Sequence, residues 1–248
     1  MNLLQLVLAC APKSPQVVEA PPDQAVQAPA LEAPMTSPLH PELAATLNGW
    51  SALDAPDTLS AERRETLGEL AGWIAEKQAA GEPAHLLFVC THNSRRSHMG
   101  QLWAQAAAEQ LGVQGVESWS GGTEATAFNP RAVRALQTHG MHITSTGEVI
   151  GSQNTVYATS LGPALPDLRG FSKTFGDAYN PSQGFAAVMV CSEADASCPY
   201  VPGAELRVSL PYLDPKASDG SPDETATYLA KSEEIGREML WLMQQVAP

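Results

Sequence analysis

The sequence carries little charge, and its basic residues are especially scarce. Charged residues make up 17% of the 248 residues, and 14 Lys+Arg stand against 27 Asp+Glu, for a formal net charge of −13. Because nucleic acids are bound through clustered cations, this balance argues against a nucleic-acid partner. Four cysteines are too few for a disulfide framework at this length. The sequence also has no apolar run near the roughly 20 residues that a membrane-spanning helix needs.

The first 39 residues differ from the remainder in composition. An apolar run from Leu3 to Ala9 precedes Cys10. This arrangement resembles a bacterial lipoprotein signal, in which the cysteine becomes the lipidated N-terminus; the alternative is a mis-chosen start or a frayed segment. Residues 11–39 hold many Pro and Ala residues without apolar periodicity. We therefore expect a signal over residues 1–10 and a disordered, linker-like tail up to residue 39.

A helical pattern precedes the main folded part. Leu67, Leu70 and Ile74 recur at the spacing of one helix face, with charged residues around them. This pattern predicts an N-terminal helical extension over residues 40–82. Hydrophobic residues are 44% of the chain, enough to form a core in the remaining domain, residues 83–248.

Short apolar runs alternate with helical patterns in that domain. The apolar runs at residues 85–90 and 185–190 are typical of buried strands, and residues 116–120 and 206–210 are interpreted as two further strands. Helices are predicted at residues 99–108, 129–136 and 225–246. This alternation predicts an α/β fold with a doubly wound, mainly parallel four-stranded sheet flanked by helices. Residues 145–184 fit least well, and we expect a long excursion there with a hairpin around residues 155–160.

The chemistry is concentrated in a polar loop between the first strand and the next helix. Cys90 ends the strand, and Arg96 follows at a C-x5-R spacing. The loop N–H groups and the helix N-terminus form an anion cradle, to which Arg96 adds a bidentate donor. The same positive field favours a Cys90 thiolate; the alternative is a structural cysteine beside a polar turn. The expected oxyanion-binding residues are Thr91, His92, Asn93, Ser94, Arg95, Arg96 and Ser97.

Four side chains in and after this loop carry further expectations. Ser97 can donate a hydrogen bond to the Cys90 thiolate, and Asn93 can brace the loop through bonds to the backbone. His92 and His98 could tune the electrostatic field of the loop, but a surface position is expected for both.

The loop and three later segments resemble the low-molecular-weight protein tyrosine phosphatase superfamily. The later segments are Ser-Gly-Gly-Thr at residues 120–123, Asn-Pro-Arg-Ala-Val at 129–133 and Asp-Pro at 214–215. The resemblance extends over about residues 84–246. It implies that Cys90 is the nucleophile and that Asp214 is the general acid; the alternative for Asp214 is a turn-forming residue before proline.

Two further cysteines distinguish the arsenate reductases of this superfamily from its phosphatases. Cys191 ends the FAAVMV strand, and Cys198 follows seven positions later. The segment VCSEADASCPYVPG around them resembles the redox segment of thioredoxin-coupled arsenate reductases. The resemblance implies that Cys191 attacks Cys90 and that Cys198 then attacks Cys191, giving a disulfide that thioredoxin reduces. The alternative is a structural disulfide or a pair of core thiols, whereas the C-x6-C spacing without a nearby His argues against a metal site.

Three functions remain open at this point. Thiol-dependent arsenate reduction is the leading hypothesis, phosphomonoester hydrolysis by Cys90, Arg96 and Asp214 is the alternative, and a non-catalytic oxyanion-binding or redox-sensing protein is the third. The expected partners are arsenate or a phosphorylated substrate, and thioredoxin. No bound cofactor or metal is expected, since Gln101 stands where some arsenate reductases carry a potassium-binding Glu. Thioredoxin favours the cytoplasm, whereas lipidation at Cys10 favours the cell envelope and would be the one membrane contact.

Overall fold

The computed structural model describes residues 37–51 and 59–248. The predicted signal, Cys10 and the linker up to residue 36 lie outside the described residues, and they stay predictions. Leu39, at the end of the predicted linker, is buried in the core. No helix in the described part of the chain is long and apolar enough to cross a membrane.

Two helices precede the first strand. They are α1 (Pro41–Ser51) and α2 (Ala61–Ala79), and the hydroxyl of Ser60 caps α2 by accepting a hydrogen bond from the Arg63 N–H. The other helices are α3 (Arg96–Leu111), α4 (Pro130–Thr138), α5 (Ser192–Ser197) and α6 (Glu224–Gln244). Both α1 and α2 contact α6, and α2 also contacts the main sheet. Each of these two helices buries one apolar face, as the periodicity of the sequence requires.

The main sheet has four parallel strands, and it confirms the predicted α/β fold. The strands are β1 (Ala84–Cys90), β2 (Val116–Gly122), β6 (Phe185–Met189) and β7 (Ala204–Ser209), in the order β2-β1-β6-β7. β1 lies between β2 and β6 and is parallel to both. All residues of β6 and nearly all of β1 are buried, so both faces of the sheet are covered, as their continuous apolar sequences require.

The excursion contains a second sheet. Its strands are β3 (His142–Ile150), β4 (Asn154–Ser160) and β5 (Leu168–Gly170), antiparallel in the order β3-β4-β5. The sequence predicted a hairpin around β4, but not a sheet of three strands. β3 buries a single residue, Ile143, so it has no apolar run that could mark it as a strand.

Candidate active site

The end of β1 places Cys90 at the carboxyl edge of the main sheet, where open α/β sheets bind ligands. Cys90 is buried, and its Sγ lies 3.1 Å from the Ser97 Oγ. Gly122 lies beside it on β2. A Cβ at Gly122 would come within 2.4 Å of the Glu124 carbonyl and 2.7 Å of the Asn93 nitrogen. The close approach of these backbones around Cys90 therefore requires glycine at this position.

Asn93 braces the oxyanion loop, which we define as Cys90–Ser97. It has a left-handed backbone, with φ of 43°, and is fully buried. Its Nδ2 donates to the Ser97 Oγ at 2.9 Å, and its Oδ1 accepts from the Lys173 backbone N–H at 2.8 Å. The neighbouring Ser172 donates from its Oγ to the His92 carbonyl at 2.9 Å. The excursion thus supports the loop, a contact that no local sequence signal could reveal.

Arg96 begins α3 and is oriented by a second loop. Its Nη1 donates to the Tyr212 carbonyl at 2.9 Å, and its Nη2 donates to the Asp214 Oδ2 at 2.8 Å. Asp214 also caps the 3-10 turn Pro215–Ser218 by accepting from the Lys216 N–H. The carboxylate and the guanidinium are therefore held against each other at the end of the sheet.

Arg95 has a different set of partners from Arg96. Its Nε donates to the Tyr228 hydroxyl at 2.7 Å, and its Nη2 lies 3.3 Å from the Asp219 Oδ2. Burial raises the pKa of Tyr228 to about 12, with a contribution from its hydrogen bond to Asp219. The Arg95 guanidinium thus ties the oxyanion loop to the end of the Asp214 loop, which we define as Pro211–Asp219.

An open cavity of about 500 Å³ lies in front of these groups. Its lining combines the oxyanion loop, the Asp214 loop and α5, and consists of Thr91, His92, Arg96, Glu193, Asp214, Lys216 and Ala217. A tetrahedral oxyanion occupies a small fraction of this volume, so the cavity also admits a larger substituent.

The structure brings Cys191 close to the oxyanion loop. Cys191 follows β6 and is fully buried, and its Sγ lies 3.4 Å from the Oγ1 of Thr91, the residue after Cys90. The same sulfur accepts the Ala194 N–H at 3.4 Å and so caps α5.

Cys198 lies at the other end of α5 and is half-buried. Arg207 of β7 donates to the Cys198 carbonyl at 3.1 Å and to the Asp195 carboxylate at 2.6 Å. Cys90, Cys191 and Cys198 are all free thiols in the structure.

The prediction that His98 is a surface histidine is wrong. His98 is fully buried, stacks on Phe128 with ring centroids 3.8 Å apart, and lies 3.2 Å from the Ser120 Oγ. Burial holds its pKa well below the usual value, and the positive charge of Lys173 acts in the same direction. The helix begins three residues earlier than the sequence indicated, which turns His98 into the core. His92 lies at the cavity, partly exposed, 2.9 Å from Glu124.

Lys173 is a feature that sequence reasoning missed. Its side chain is buried and lies over the rings of Phe171, at 4.8 Å, and Tyr179, at 5.4 Å. Burial lowers the pKa of Lys173 to about 8. Among the residues that the structure describes, no cluster of His, Cys, Asp or Glu is arranged to hold a metal ion.

Comparison with known proteins identifies the family to which the chain belongs. A model of low molecular weight phosphotyrosine protein phosphatases matches residues 85–154. An arsenate reductase of Brevibacillus brevis is 30% identical over 138 residues, which are 54% of this chain and 78% of the relative. An arsenate reductase of Bacillus cereus strain G9842 is 29% identical over 160 residues, 61% of this chain and 95% of the relative. The chain belongs to the low-molecular-weight phosphotyrosine phosphatase family.

The family has a phosphatase branch and an arsenate reductase branch, and the chain is an enzyme of one of them. A solved low molecular weight phosphotyrosine phosphatase from Vibrio cholerae O395 is also similar. It is 14% identical, with a TM-score of 0.44, over 65% of this chain and 95% of that one.

Proposed function

We propose that the chain is a thiol-dependent arsenate reductase, with Cys90 as nucleophile and Cys191 and Cys198 as the redox pair. The observation that carries this proposal is the 3.4 Å contact between the Cys191 Sγ and the Thr91 Oγ1, beside the nucleophile. A phosphatase has no use for a second thiol at this place. The names of the curated relatives, arsenate reductases, support the same branch.

The first step is attack on arsenic. The N–H groups of the oxyanion loop and the Arg96 guanidinium bind arsenate, which takes up part of the hydrogen bonding that Arg96 now gives to Asp214. The Cys90 thiolate, stabilised by the Ser97 hydroxyl, forms a bond to arsenic. Asp214 protonates the departing oxygen, which leaves as water.

The second step moves two electrons to arsenic. The Cys191 thiolate attacks the Cys90 sulfur, the sulfur–arsenic bond breaks, and its electron pair stays on arsenic, which leaves as arsenite. Cys198 then attacks Cys191, which releases the Cys90 thiolate and leaves a Cys191–Cys198 disulfide. Thioredoxin, as an external dithiol, reduces this disulfide and closes the cycle.

The geometry of α5 sets a condition on this exchange. Cys191 and Cys198 flank the six residues of the helix. At a rise of about 1.5 Å per residue, their Cα atoms are roughly 10 Å apart, whereas a disulfide needs less than about 7 Å. We therefore expect α5 to unwind when the Cys191–Cys198 disulfide forms, which exposes the bond to thioredoxin.

Arsenate-dependent NADPH consumption by the full chain, with thioredoxin and thioredoxin reductase supplied, tests the proposal. We expect steady consumption by the wild type. Cys191→Ser should release no arsenite, and Cys198→Ser should release at most one equivalent. Cys10→Ser is the matched control and should keep full activity. Multiple turnovers by Cys191→Ser would overturn the reductase assignment.

Phosphomonoester hydrolysis is the second candidate, because the Cys90, Arg96 and Asp214 arrangement is complete without the other cysteines. The cavity also admits more than an inorganic oxyanion. Hydrolysis of an aryl phosphate that survives Cys191→Ser, with no reduction of arsenate by the wild type, would favour this function.

A further inference from the structure

Helix α2 precedes the residues matched by the family model, and the proposed function gives it no part. One of its side chains nevertheless reaches the Asp214 loop. The Arg63 Nη1 donates to the Pro211 carbonyl at 3.0 Å, and the Arg63 guanidinium carbon lies 4.4 Å from the centroid of the Tyr212 ring. Arg63 therefore contacts the two residues with which the Asp214 loop begins.

Glu238 of α6 completes this arrangement. The Arg63 Nε lies 3.0 Å from each oxygen of the Glu238 carboxylate, and the Tyr212 hydroxyl donates to the same carboxylate at 2.7 Å. Glu238 and Tyr212 are both buried. Burial raises the pKa of Tyr212 well above its usual value, so the phenol keeps the proton that it donates.

The backbone of Tyr212 connects this cluster to the oxyanion site. Its carbonyl accepts the Arg96 Nη1 hydrogen bond at 2.9 Å. Any displacement of Tyr212 therefore rotates or releases the guanidinium that is proposed to bind the oxyanion. Bidentate recognition by arginine depends on the orientation of its plane, so a small displacement reduces affinity.

We propose that Arg63 is a positioning residue, which fixes Pro211 and Tyr212 so that the Tyr212 carbonyl orients Arg96 for oxyanion binding. The helical extension then contributes a positioning residue to the oxyanion site. In this ion pair Glu238 is buried and Arg63 is half-buried. Such a pair adds little net stability over an apolar pair of the same shape, so we infer that its contribution is the fixed position of Pro211 and Tyr212. The inference rests on the oxyanion site of the proposed function, but not on the reduction of arsenate.

Binding of inorganic phosphate to the full chain, measured by isothermal titration calorimetry, tests this role without any turnover. We expect Arg63→Met, which keeps the apolar stem, to raise the phosphate Kd about tenfold, as for the loss of one hydrogen bond to a charged group. Arg237→Met is the matched control. Arg237 is next to Glu238 on α6 and pairs with Glu233, so its loss should leave the Kd unchanged.

A second variant separates positioning from folding. Arg63→Met alone leaves the Glu238 carboxylate buried without its cation, which lowers stability. The double variant Arg63→Met/Glu238→Gln removes both charges and should recover most of the Tm, while the phosphate Kd stays raised because the Pro211 contact is still absent. A double variant with the wild-type Kd would overturn the positioning role.

Two outcomes for the wild type distinguish failure of the reductase assignment from failure of the role of Arg63. A wild type that binds phosphate but reduces no arsenate would contradict the reductase assignment and leave the role of Arg63 standing. A wild type that binds no phosphate would overturn both, since the oxyanion site itself would be wrong.

Discussion

The oxyanion loop and the cysteine segment, Cys191–Cys198, leave neighbouring strands at the same edge of the sheet, but they are held in different ways. Residues 93–97 of the loop are all buried. Their side chains are bonded to the excursion, to the Asp214 loop and to α6. In the cysteine segment only Cys191 and Ala194 are buried, Cys198 is half-buried, and Tyr200, two residues beyond the segment, is 74% exposed. Arg207 holds the far end of α5.

The difference follows from what each region is proposed to do. An oxyanion site gains most when its donors are already aimed at the charge, because no reorganisation then opposes binding. Thiol–disulfide exchange requires that one sulfur reach a second and then a third. A densely bonded, buried loop at one strand end and a short, largely exposed helix at the next strand end meet these two requirements.

Removal of the loop thiol should have the largest effect. Cys90→Ser deletes the nucleophile, and we expect arsenate reduction and any aryl phosphate hydrolysis both to decrease by about 10³-fold or more. Steady-state assays of the two reactions measure this. Phosphate binding should remain, since the cradle is intact. Residual hydrolysis near the wild-type rate would place the nucleophile elsewhere.

Loss of the loop brace should come next. Asn93→Gly keeps the left-handed backbone but loses the bonds to Ser97 and to the Lys173 N–H. We expect kcat/KM to decrease about 100-fold, because the donors lose their alignment. Asn93→Ala should do no better, since it adds backbone strain. Wild-type kcat/KM in the glycine variant would show that the backbone alone sets the loop.

The backbone N–H of Lys173 supports the oxyanion loop, and burial of its side-chain amine should lower the stability of the fold in a pH-dependent way. The folded-state pKa of Lys173 is about 8, lowered by burial from 10.5. The unfolded chain therefore binds more protons between about pH 8 and 10.5, so stability rises with pH across this window and is lowest below it. Lys173→Met should raise the unfolding free energy at pH 7 by up to about 3 kcal/mol and should lessen the increase of stability between about pH 8 and 10.5.

Urea unfolding of the wild type and of Lys173→Met, at pH 7 and at pH 9.5, makes this comparison. The advantage of the variant should shrink at the higher pH, where the wild-type amine loses its charge in the folded state. An advantage that is equal at both pH values would mean that packing, not charge, distinguishes the two proteins.

The smallest effect is expected in the cysteine segment. Arg207→Met removes the donor to the Cys198 carbonyl and to Asp195, so α5 should open more often. We expect alkylation of Cys198 by iodoacetamide to become about threefold to fivefold faster, with phosphate affinity unchanged. Arg169→Met, on the antiparallel sheet, is the matched control. A loss of phosphate affinity in Arg207→Met would erase the distinction between the two regions.

The sequence was informative where a pattern is local. Continuous apolar runs predicted β1 and β6, and the Asn-Pro pair predicted the start of α4, where the Asn129 side chain caps the helix. The strand–loop–helix order around Cys90 follows from the same runs. The parallel sheet could be predicted because strands that are apolar on both faces alternate with helical patterns.

What the sequence could not supply are contacts between distant segments. The bonds from Arg63 to Pro211, from Asn93 to Lys173 and from Arg95 to Tyr228 connect residues 80 to 148 positions apart. The sequence marks one partner of two of these bonds, Asn93 and Arg95, as part of the oxyanion loop, but nothing local to Lys173, Tyr228 or Pro211 identifies the other partner. β3 was missed for a related reason, since its exposed face carries polar residues typical of a loop.

The sulfur atom that caps α5 is also a proposed redox centre. The Cys191 Sγ that accepts the Ala194 N–H is also the sulfur that is oxidised in the proposed cycle. A disulfide sulfur carries no negative charge and is a weak hydrogen-bond acceptor, so oxidation would weaken the cap of the helix that is expected to unwind. In the proposed cycle, oxidation of Cys191 would release the N-terminus of α5, and reduction by thioredoxin would restore this cap before the next arsenate binds.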